Sequence, residues 1–218
     1  PVYGRLLAAP TLFNDQLFRG RGALLNLEHD LGPARLVAIF GYRGFDLSQG
    51  SDTDGGPNVT SISQVGATVS RGFGFDYLRD WSNDTFTLEA KVTGEAGPVT
   101  YVAGAFGMHE TAAPQSASFF LFDQQTRSVA FFGEATWAIT PRLNLSAGAR
   151  WTSDRKQLDR THSAALGRPV LAGTPYFAEA DREWSKLTPR VIVDWEAHDD
   201  VRLYASWSQG FQAGAFQS

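Results

Sequence analysis

The stretch VRLYASWSQGFQAGAF, residues 201–216, decides the fold of this chain. Its first half alternates apolar and polar residues, with Val201, Leu203, Ala205 and Trp207 separated by Arg202, Tyr204, Ser206 and Ser208. A period of two is the pattern of a β-strand with one apolar and one polar face. The second half, Gly210 to Phe216, is rich in glycine and aromatic residues and has no charge, and we expect it to carry the strand onward. A strand of this kind needs neighbours in a sheet.

The same alternation recurs along the rest of the chain. Candidate strands lie at residues 23–29, 35–43, 85–92, 99–109, 129–137, 142–152, 187–196 and 201–208. Residues 1–21 show no clear period, and we predict a loop there. Each candidate pairs most simply with the next one along the chain, because the turns between several of them are short. The sequence therefore predicts an all-β protein of about eight antiparallel strands.

Short and long connections alternate strictly between these strands. The short ones are residues 31–33, 94–98, 140–141 and 198–200, and the long ones are residues 45–83, 110–127 and 153–183. A β-sandwich has no reason to sort its loops in this way, whereas a transmembrane barrel has short periplasmic turns and long external loops. The strands also approach the roughly 9–11 residues that cross a bilayer at a tilt. The pattern predicts part of an antiparallel transmembrane β-barrel.

The polar faces of the predicted strands carry many charges. We predict that these residues face the lumen: Glu89, Lys91, Glu134, Arg142, Arg150, Arg190, Asp194 and Arg202. A dry protein core could not hold so many charges without a large desolvation cost, but a water-filled lumen can. The apolar faces carry Tyr42, Trp137, Trp151, Trp195 and Trp207, mostly near strand ends, where the aromatic girdles of a barrel lie. We expect the luminal arginines to pair with Glu134, Asp194 or acidic residues of another domain.

Composition excludes several classes of protein. The chain has 218 residues, a net charge of −4 and no cysteine. The near balance of charge argues against nucleic-acid binding, and the absence of cysteine excludes disulfides, thiol catalysis and cysteine-ligated zinc. No segment has the Gly-x-Ser-x-Gly pattern of a hydrolase or a complete calcium-loop spacing. We therefore expect no catalytic residues, no metal site and no cofactor, and we predict that the protein is not an enzyme.

Several segments resemble one family in the right order along the chain. FFGEATWAITPRLNLSAGARWTSDRK (131–156) is similar to a strand–turn–strand segment of TonB-dependent outer-membrane receptors. LTPRVIVDW (187–195) and YASWSQGFQAGAF (204–216) resemble two further strands of that family. YVAGAF (101–106) and FGYR (40–43) resemble earlier ones. Each motif is short, but the ordered set covers most of the chain.

The resemblance implies that residues 1–218 are part of a barrel of about 22 strands. The family's plug domain and its TonB box, the short motif that the energy-coupling protein TonB grips, are not recognisable here, and we expect both outside this chain. The implied place is the outer membrane of a Gram-negative bacterium. The implied function is TonB-dependent uptake of a scarce nutrient, such as a ferric siderophore, vitamin B12 or an oligosaccharide. The implied partners are TonB, the lipid bilayer and a small-molecule ligand. A passive porin-like channel and a soluble β-sandwich binding module are the alternatives.

Overall fold

The computed structural model of the chain describes residues 15–52, 63–64, 67–68, 76–116, 120–161 and 177–216. Within these residues it contains ten strands: β1 (Asp15–Asp30), β2 (Ala34–Asp52), β3 (Ser63–Gln64), β4 (Ala67–Thr68), β5 (Asp76–Ala96), β6 (Val99–Ser116), β7 (Phe120–Thr140), β8 (Leu143–Thr161), β9 (Phe177–His198) and β10 (Val201–Ser208). No helix long and apolar enough to span a bilayer occurs in this described part of the chain.

Eight of the strands form one antiparallel sheet in the order β1-β2-β5-β6-β7-β8-β9-β10, and β3 pairs only with β4. Every long strand therefore pairs with its neighbour in sequence, which is the up-and-down topology expected of a barrel wall. β1 and β10 form the two edges of this open sheet. The prediction of an all-β, antiparallel fold with eight long strands is confirmed.

All four predicted short turns lie at one end of the sheet. In the structure the turns comprise two or three residues each, at 31–33, 97–98, 141–142 and 199–200. Gly32 and Gly97 have positive φ values of 84° and 61°, which side chains other than glycine rarely adopt. Leu31 donates a backbone hydrogen bond of 2.7 Å to the carbonyl oxygen of Ala34, which closes the first turn. In a transmembrane barrel this end is the periplasmic one.

The strands are much longer than the sequence predicts. Residues 110–116 and 120–127 belong to β6 and β7, so the predicted long loop at 110–127 was wrong. The predicted loops at 45–83 and 153–183 likewise lose their ends to β2, β5, β8 and β9. The first residues of β1, from Asp15 to Arg21, were wrongly placed in a loop. In these extensions the sequence loses its regular alternation of apolar and polar residues, but the pairing of the strands continues.

The sheet has two chemically different faces. We call the face with Leu25, Phe40, Phe86, Phe131 and Leu187 the outer face; cross-strand register places these side chains on the same side. Most of the exposed large apolar side chains lie on it, including Leu187 at 58 % exposure. On β8 and β9 these residues run from Leu143 to Trp151 and from Trp195 to Leu187, and we call this zone the apolar band. The aromatic residues Tyr42, Trp137, Trp151, Trp195 and Trp207 all lie on the outer face.

The opposite, inner face holds the most buried side chains of the described residues. Ala130 is fully buried, and Asn83, Thr85, Thr126, Ser128 and Thr152 are nearly so. No large side chain in the described residues is fully buried. The sheet therefore encloses no apolar core of its own, and its apolar face stays open, unlike the face of a sandwich, which packs on a second sheet.

Candidate functional site on the inner face

The inner face brings together seven of the eight charged residues that we predicted to face the lumen. Directly paired residues of antiparallel strands point to the same side of a sheet. The register pairs place the following on the inner face: Glu89, Lys91, Glu134, Arg150, Arg190, Asp194 and Arg202. Their common face is a feature of this sheet, and their position in a closed lumen stays a prediction.

Arg142 occupies a different place from the one predicted. It lies in the turn between β7 and β8, not in the strand, because β8 begins at Leu143. Its backbone N–H donates to Oγ1 of Thr140, and its guanidinium donates to Asp199 in the neighbouring turn. Arg142 therefore links two turns at the periplasmic end of the sheet.

Three ion pairs connect charged residues of the inner face. Arg202 donates from Nε and Nη2 to the carboxylate of Asp194, at 2.8 to 3.0 Å. Lys91 donates to Glu89 at 2.9 Å, and Arg190 lies 3.6 Å from Glu134. The first pair joins adjacent strands, the second lies within β5, and the third reaches from β9 across β8 to β7. They fix the direction of long side chains, but exposed pairs of this kind add little to stability.

Arg150 is held by aromatic rings instead of by an acid. Its guanidinium lies 5.5 Å from the ring centroid of Phe106 and 5.6 Å from that of Phe132. Its Nε donates to Oγ1 of Thr152 at 3.1 Å. Cation–π contacts position a guanidinium without neutralising it. Arg150 therefore presents a full positive charge on the inner face.

A row of cations continues from Arg150 along β8 and β9. We call it the cationic strip, and it consists of Arg150, Lys156, Arg182, Lys186 and Arg190. Lys156 lies directly opposite Arg182, so two like charges face each other across the strand pair. On these two strands, Asp154 is the acidic residue that lies among the cations of the strip. Like charges at opposed positions are unfavourable, and they favour the approach of an anion.

Three members of the strip were missed from the sequence. Lys156 and Arg182 lie in the predicted loop at 153–183. Lys186 lies just before the predicted strand at 187–196. These residues alternate with Arg155, Glu183 and Ser185, which lie on the other face of the strands. Because the residues on both faces are polar, no alternation of apolar and polar residues indicated a strand.

The terminal segment packs on the inner face near the strip. β10 ends at Ser208, so the prediction that Gly210 to Phe216 continues the strand was wrong. Nζ of Lys156 donates to the carbonyl oxygen of Gly214 at 2.9 Å, and the rings of Trp184 and Phe216 lie 6.1 Å apart. A side chain at position 214 would clash with the Trp184 ring, since a Cβ there would lie 2.7 Å from it. Glycine is therefore required at this contact.

An aromatic cluster lies on the inner face at the other edge of the sheet, away from the short turns. The rings of Phe18 and Phe45 are stacked at 5.7 Å, and Trp81 meets Phe45 edge-on at 5.5 Å. All three residues fall in segments that we predicted as loops. The inner face therefore offers a cationic region on β8 and β9 and an apolar region on β1, β2 and β5.

The family model described as TonB dependent receptor-like, beta-barrel matches residues 3–218. The chain belongs to the TonB-dependent receptor family. Members of this family reside in the outer membrane of Gram-negative bacteria, and the apolar character of the outer face predicts that this side contacts lipid. The predicted family, fold and cellular location are confirmed.

Curated relatives of this TonB-dependent receptor chain include the pesticin receptors of Yersinia pestis and Yersinia enterocolitica. Each is 24 % identical over 148 residues, which cover 62 % of this chain and 20 % of the relative. The chain therefore spans about a fifth of the length of these relatives.

Solved structures of low sequence identity share the fold. The ferric yersiniabactin uptake receptor FyuA of Yersinia pestis has a TM-score of 0.59 at 15 % identity and covers 87 % of this chain and 27 % of its own. The ferric-catecholate import receptor Fiu of E. coli has a TM-score of 0.66 at 14 % identity; the match covers 93 % of this chain and 36 % of Fiu. The siderophore receptor PiuA of Acinetobacter baumannii has a TM-score of 0.61 at 15 % identity and covers 88 % and 32 %. At these identities the likeness establishes the fold alone.

Above the apolar band of this TonB-dependent receptor, opposite charges fix adjacent strands on the outer face. Hydrogen bonds from Arg155 and Gln157, together with the positive charge of Arg155, lower the pKa of Asp181 to about 2. The same hydrogen bond raises the pKa of Arg155. Among the described residues no cluster of three or more potential ligands could hold a metal ion. The family consists of receptors and transporters, which fits a protein that is not an enzyme.

Proposed function

We propose that the receptor containing this chain imports an anionic ferric siderophore across the outer membrane. The observation behind this proposal is the cationic strip, which places five positive side chains on β8 and β9 of the inner face. A ferric siderophore with carboxylate, hydroxamate or catecholate oxygens is a compact ligand that is often anionic. A surface with one dominant charge raises the local concentration of such a ligand and its association rate.

The placement of these cations supports capture from outside. The strip runs from Arg190 toward the end of the sheet that is distant from the short turns, and Arg182 is its outermost member on β9. A ligand that enters from the extracellular side would meet Arg182 and Lys156 before Arg150 and Arg190. The aromatic cluster of Phe18, Phe45 and Trp81 would offer apolar contacts to the organic part of the same ligand.

The unpaired charge of Arg150 on the inner face suits a second task, contact with the plug. In this proposal residues 1–218 form part of the barrel, and the plug and the TonB box belong to other parts of the protein. Arg150 has an unneutralised charge that can pair with an acidic plug residue, while Arg190 and Arg202 are already paired with Glu134 and Asp194. TonB would then supply the energy for plug movement, which separates this mechanism from passive diffusion.

The test uses the full receptor and a pair of substitutions in the strip. Arg182→Gln combined with Lys186→Gln should weaken binding of anionic ferric siderophores by about tenfold, equivalent to about 1.4 kcal/mol. Binding is measured by quenching of intrinsic fluorescence, and uptake by transport of radioactive iron in cells with and without TonB. Arg19→Gln combined with Arg127→Gln, both on the outer face, is the matched control, because it removes two positive charges from the opposite side.

Three results would contradict the proposal. Equal affinity of the double variant and the unaltered receptor would show that the strip does not contact the ligand. Equal uptake in cells without TonB would indicate a passive channel. Selective uptake of neutral vitamin B12 or of an oligosaccharide, with no ferric siderophore bound, would assign a different substrate.

A further inference from the structure

The terminal segment, residues 210–216, lies across the inner face and does not extend the wall. β10 pairs with β9 up to its last residue, and Gln209 then donates a backbone hydrogen bond of 3.0 Å to the carbonyl oxygen of Pro189. From there the segment crosses β9 at Trp184 and reaches β8 at Lys156. It therefore covers part of the cationic strip, on the face where we propose that the anionic ligand binds.

Lys156 is the cation of the strip that the terminal segment engages. Its Nζ donates a hydrogen bond of 2.9 Å to the carbonyl oxygen of Gly214. Lys156 is half-buried, whereas Arg182 and Lys186 are exposed. Among the residues that the structure describes, no carboxylate pairs with Lys156. A carbonyl oxygen occupies one donor of the ammonium group but has no net charge, so the positive charge of Lys156 is covered without being neutralised.

Few contacts hold the terminal segment in this place. The rings of Trp184 and Phe216 lie 6.1 Å apart, and Gly214 lies against the same indole. The segment carries no charge and belongs to no strand. A hydrogen bond from an ammonium group to an anion is about twice as strong as one between neutral groups. An anion at Lys156 can therefore displace the Gly214 carbonyl.

We propose that the terminal segment is an internal competitor for the anion. In the receptor without ligand it covers Lys156, and an anion that binds the cationic strip replaces the Gly214 carbonyl and releases residues 210–216 from Trp184. This inference rests on the proposed function. The coupling is reciprocal, so the segment weakens anion binding by the same factor as the anion weakens docking of the segment. A neutral ligand forms no charge-assisted bond with Lys156 and leaves the segment docked, so the segment selects for negative charge.

The experiment releases the segment by substitution and measures affinity of the full, detergent-purified receptor by calorimetry. The probe is gallium tris-catecholate, a diamagnetic trianion with the shape of a ferric catecholate. In Gly214→Val the new Cβ would lie 2.7 Å from the Trp184 ring, so the segment and the ring cannot both keep their places. This variant should bind the probe about fivefold more tightly, and so should Trp184→Ala. Gly210→Val is the matched control within the segment; a Cβ there meets nothing within 4 Å, and affinity should be unchanged.

Two further readouts follow the segment itself. Acetylation of lysines, quantified by mass spectrometry without any ligand, should be faster at Lys156 in Gly214→Val than in the unaltered receptor. Lys91, which pairs with Glu89 on the same face, should react equally in both. In a receptor with a spin label in place of Gln212, addition of gallium tris-catecholate should increase label mobility, and the diamagnetic metal does not broaden the spectrum.

The results separate this inference from the proposed function. Equal or weaker probe affinity in both Gly214→Val and Trp184→Ala would overturn the inference, and so would unchanged acetylation of Lys156 or a label that stays immobile when the probe is bound. Tighter probe binding by both variants, in a receptor that imports no ferric siderophore, would refute the proposed function and leave the inference standing. Heat-modifiable migration on gels verifies that each variant is folded.

Discussion

Nε of Arg155 on β8 donates a hydrogen bond of 2.9 Å to Oδ1 of Asp181 on β9, above the apolar band and on the outer face. A second bond from the same guanidinium reaches Oδ2, so the contact is bidentate. Gln157 adds a third donor to this carboxylate at 3.1 Å. These polar contacts lie where apolar packing has ended. They join side chains of β8 and β9 in a region where the sequence no longer shows the alternation that predicts strands.

Replacing Arg155 should change the titration of Asp181. The pKa of Asp181 is lowered to about 2 from an ordinary value of 3.8, first by the hydrogen bond from Arg155. A lowered pKa in the folded state means that the contact contributes stability above about pH 4 and loses it as pH falls through about 2. In Arg155→Met the carboxyl should titrate closer to its ordinary value, as followed by NMR of labelled aspartate in the micelle-bound receptor. Arg182→Met, on the inner face, should leave the titration unchanged, and a shift of equal size there would refute the assignment.

A charge placed in the apolar band should cost far more than one placed on the inner face. Val191 and Ile192 are adjacent on β9 and point to opposite faces. Val191→Arg should destabilise the barrel by about 2–4 kcal/mol, because the guanidinium enters hydrocarbon near the middle of the bilayer. Ile192→Arg should cost less, since the polar inner face can hydrate it. Guanidinium unfolding of the receptor in lipid vesicles measures both, and equal costs would contradict the assignment of the two faces.

Two glycines of β6 should respond differently to a methyl group. At Gly104 a Cβ would lie 2.6 Å from the carbonyl oxygen of Ala90 and 2.7 Å from the Phe132 ring, whereas at Gly107 it would meet nothing within 4 Å. Gly104→Ala should therefore destabilise the fold by about 1–3 kcal/mol through overpacking. Gly107→Ala should be within about 0.5 kcal/mol of the unaltered receptor. The same vesicle unfolding assay applies, and a larger loss at Gly107 than at Gly104 would count against these packing environments.

Loss of the Trp184 ring should release the terminal segment from the inner face. Trp184 contacts Phe216 and lies against Gly214, while Gln212, two residues before Gly214, is exposed and can take a label. In a receptor with a spin label at position 212, Trp184→Ala should increase label mobility in the electron paramagnetic resonance spectrum. Trp195→Ala on the outer face is the matched control. Unchanged mobility in Trp184→Ala would show that the segment is held elsewhere.

The parts of the fold that could be predicted are those where one face is apolar. Residues 85–92 and 142–152 show clear alternation because Phe86, Leu88, Leu145 and Trp151 lie in the apolar band, and the strands there were correctly located. Cross-strand register follows from such patterns only when the turns are tight, as they are at 31–33 and 97–98. The family resemblance rested on the same strands.

The rest could not be predicted, because its determinants are contacts between distant residues. Lys156 and Arg182 are 26 positions apart in number, and only the pairing of β8 with β9 places them opposite each other. Polar residues on both faces of a strand look like a loop when the sequence is considered alone. Arg142 continues the alternation of β8 in the sequence, yet it lies in the tight turn after Thr140, where its backbone N–H donates to the Thr140 hydroxyl. The inner-face cations above the band were missed because polar residues occupy both faces of the strands there.

The length of the strands has a consequence for how the receptor can select ligands. β9 has 22 residues, which is about 70 Å of strand, or about 50 Å of height at a tilt of 45°, and the lipid-contacting band needs only about 25 Å of this. About half of the wall therefore stands outside the membrane as regular sheet. Side chains such as Arg182 project from this part on a hydrogen-bonded scaffold, so their spacing is fixed before a ligand arrives. Recognition can then begin in a rigid vestibule well above the lipid surface, and its specificity can change by single substitutions on the wall without remodelling of loops.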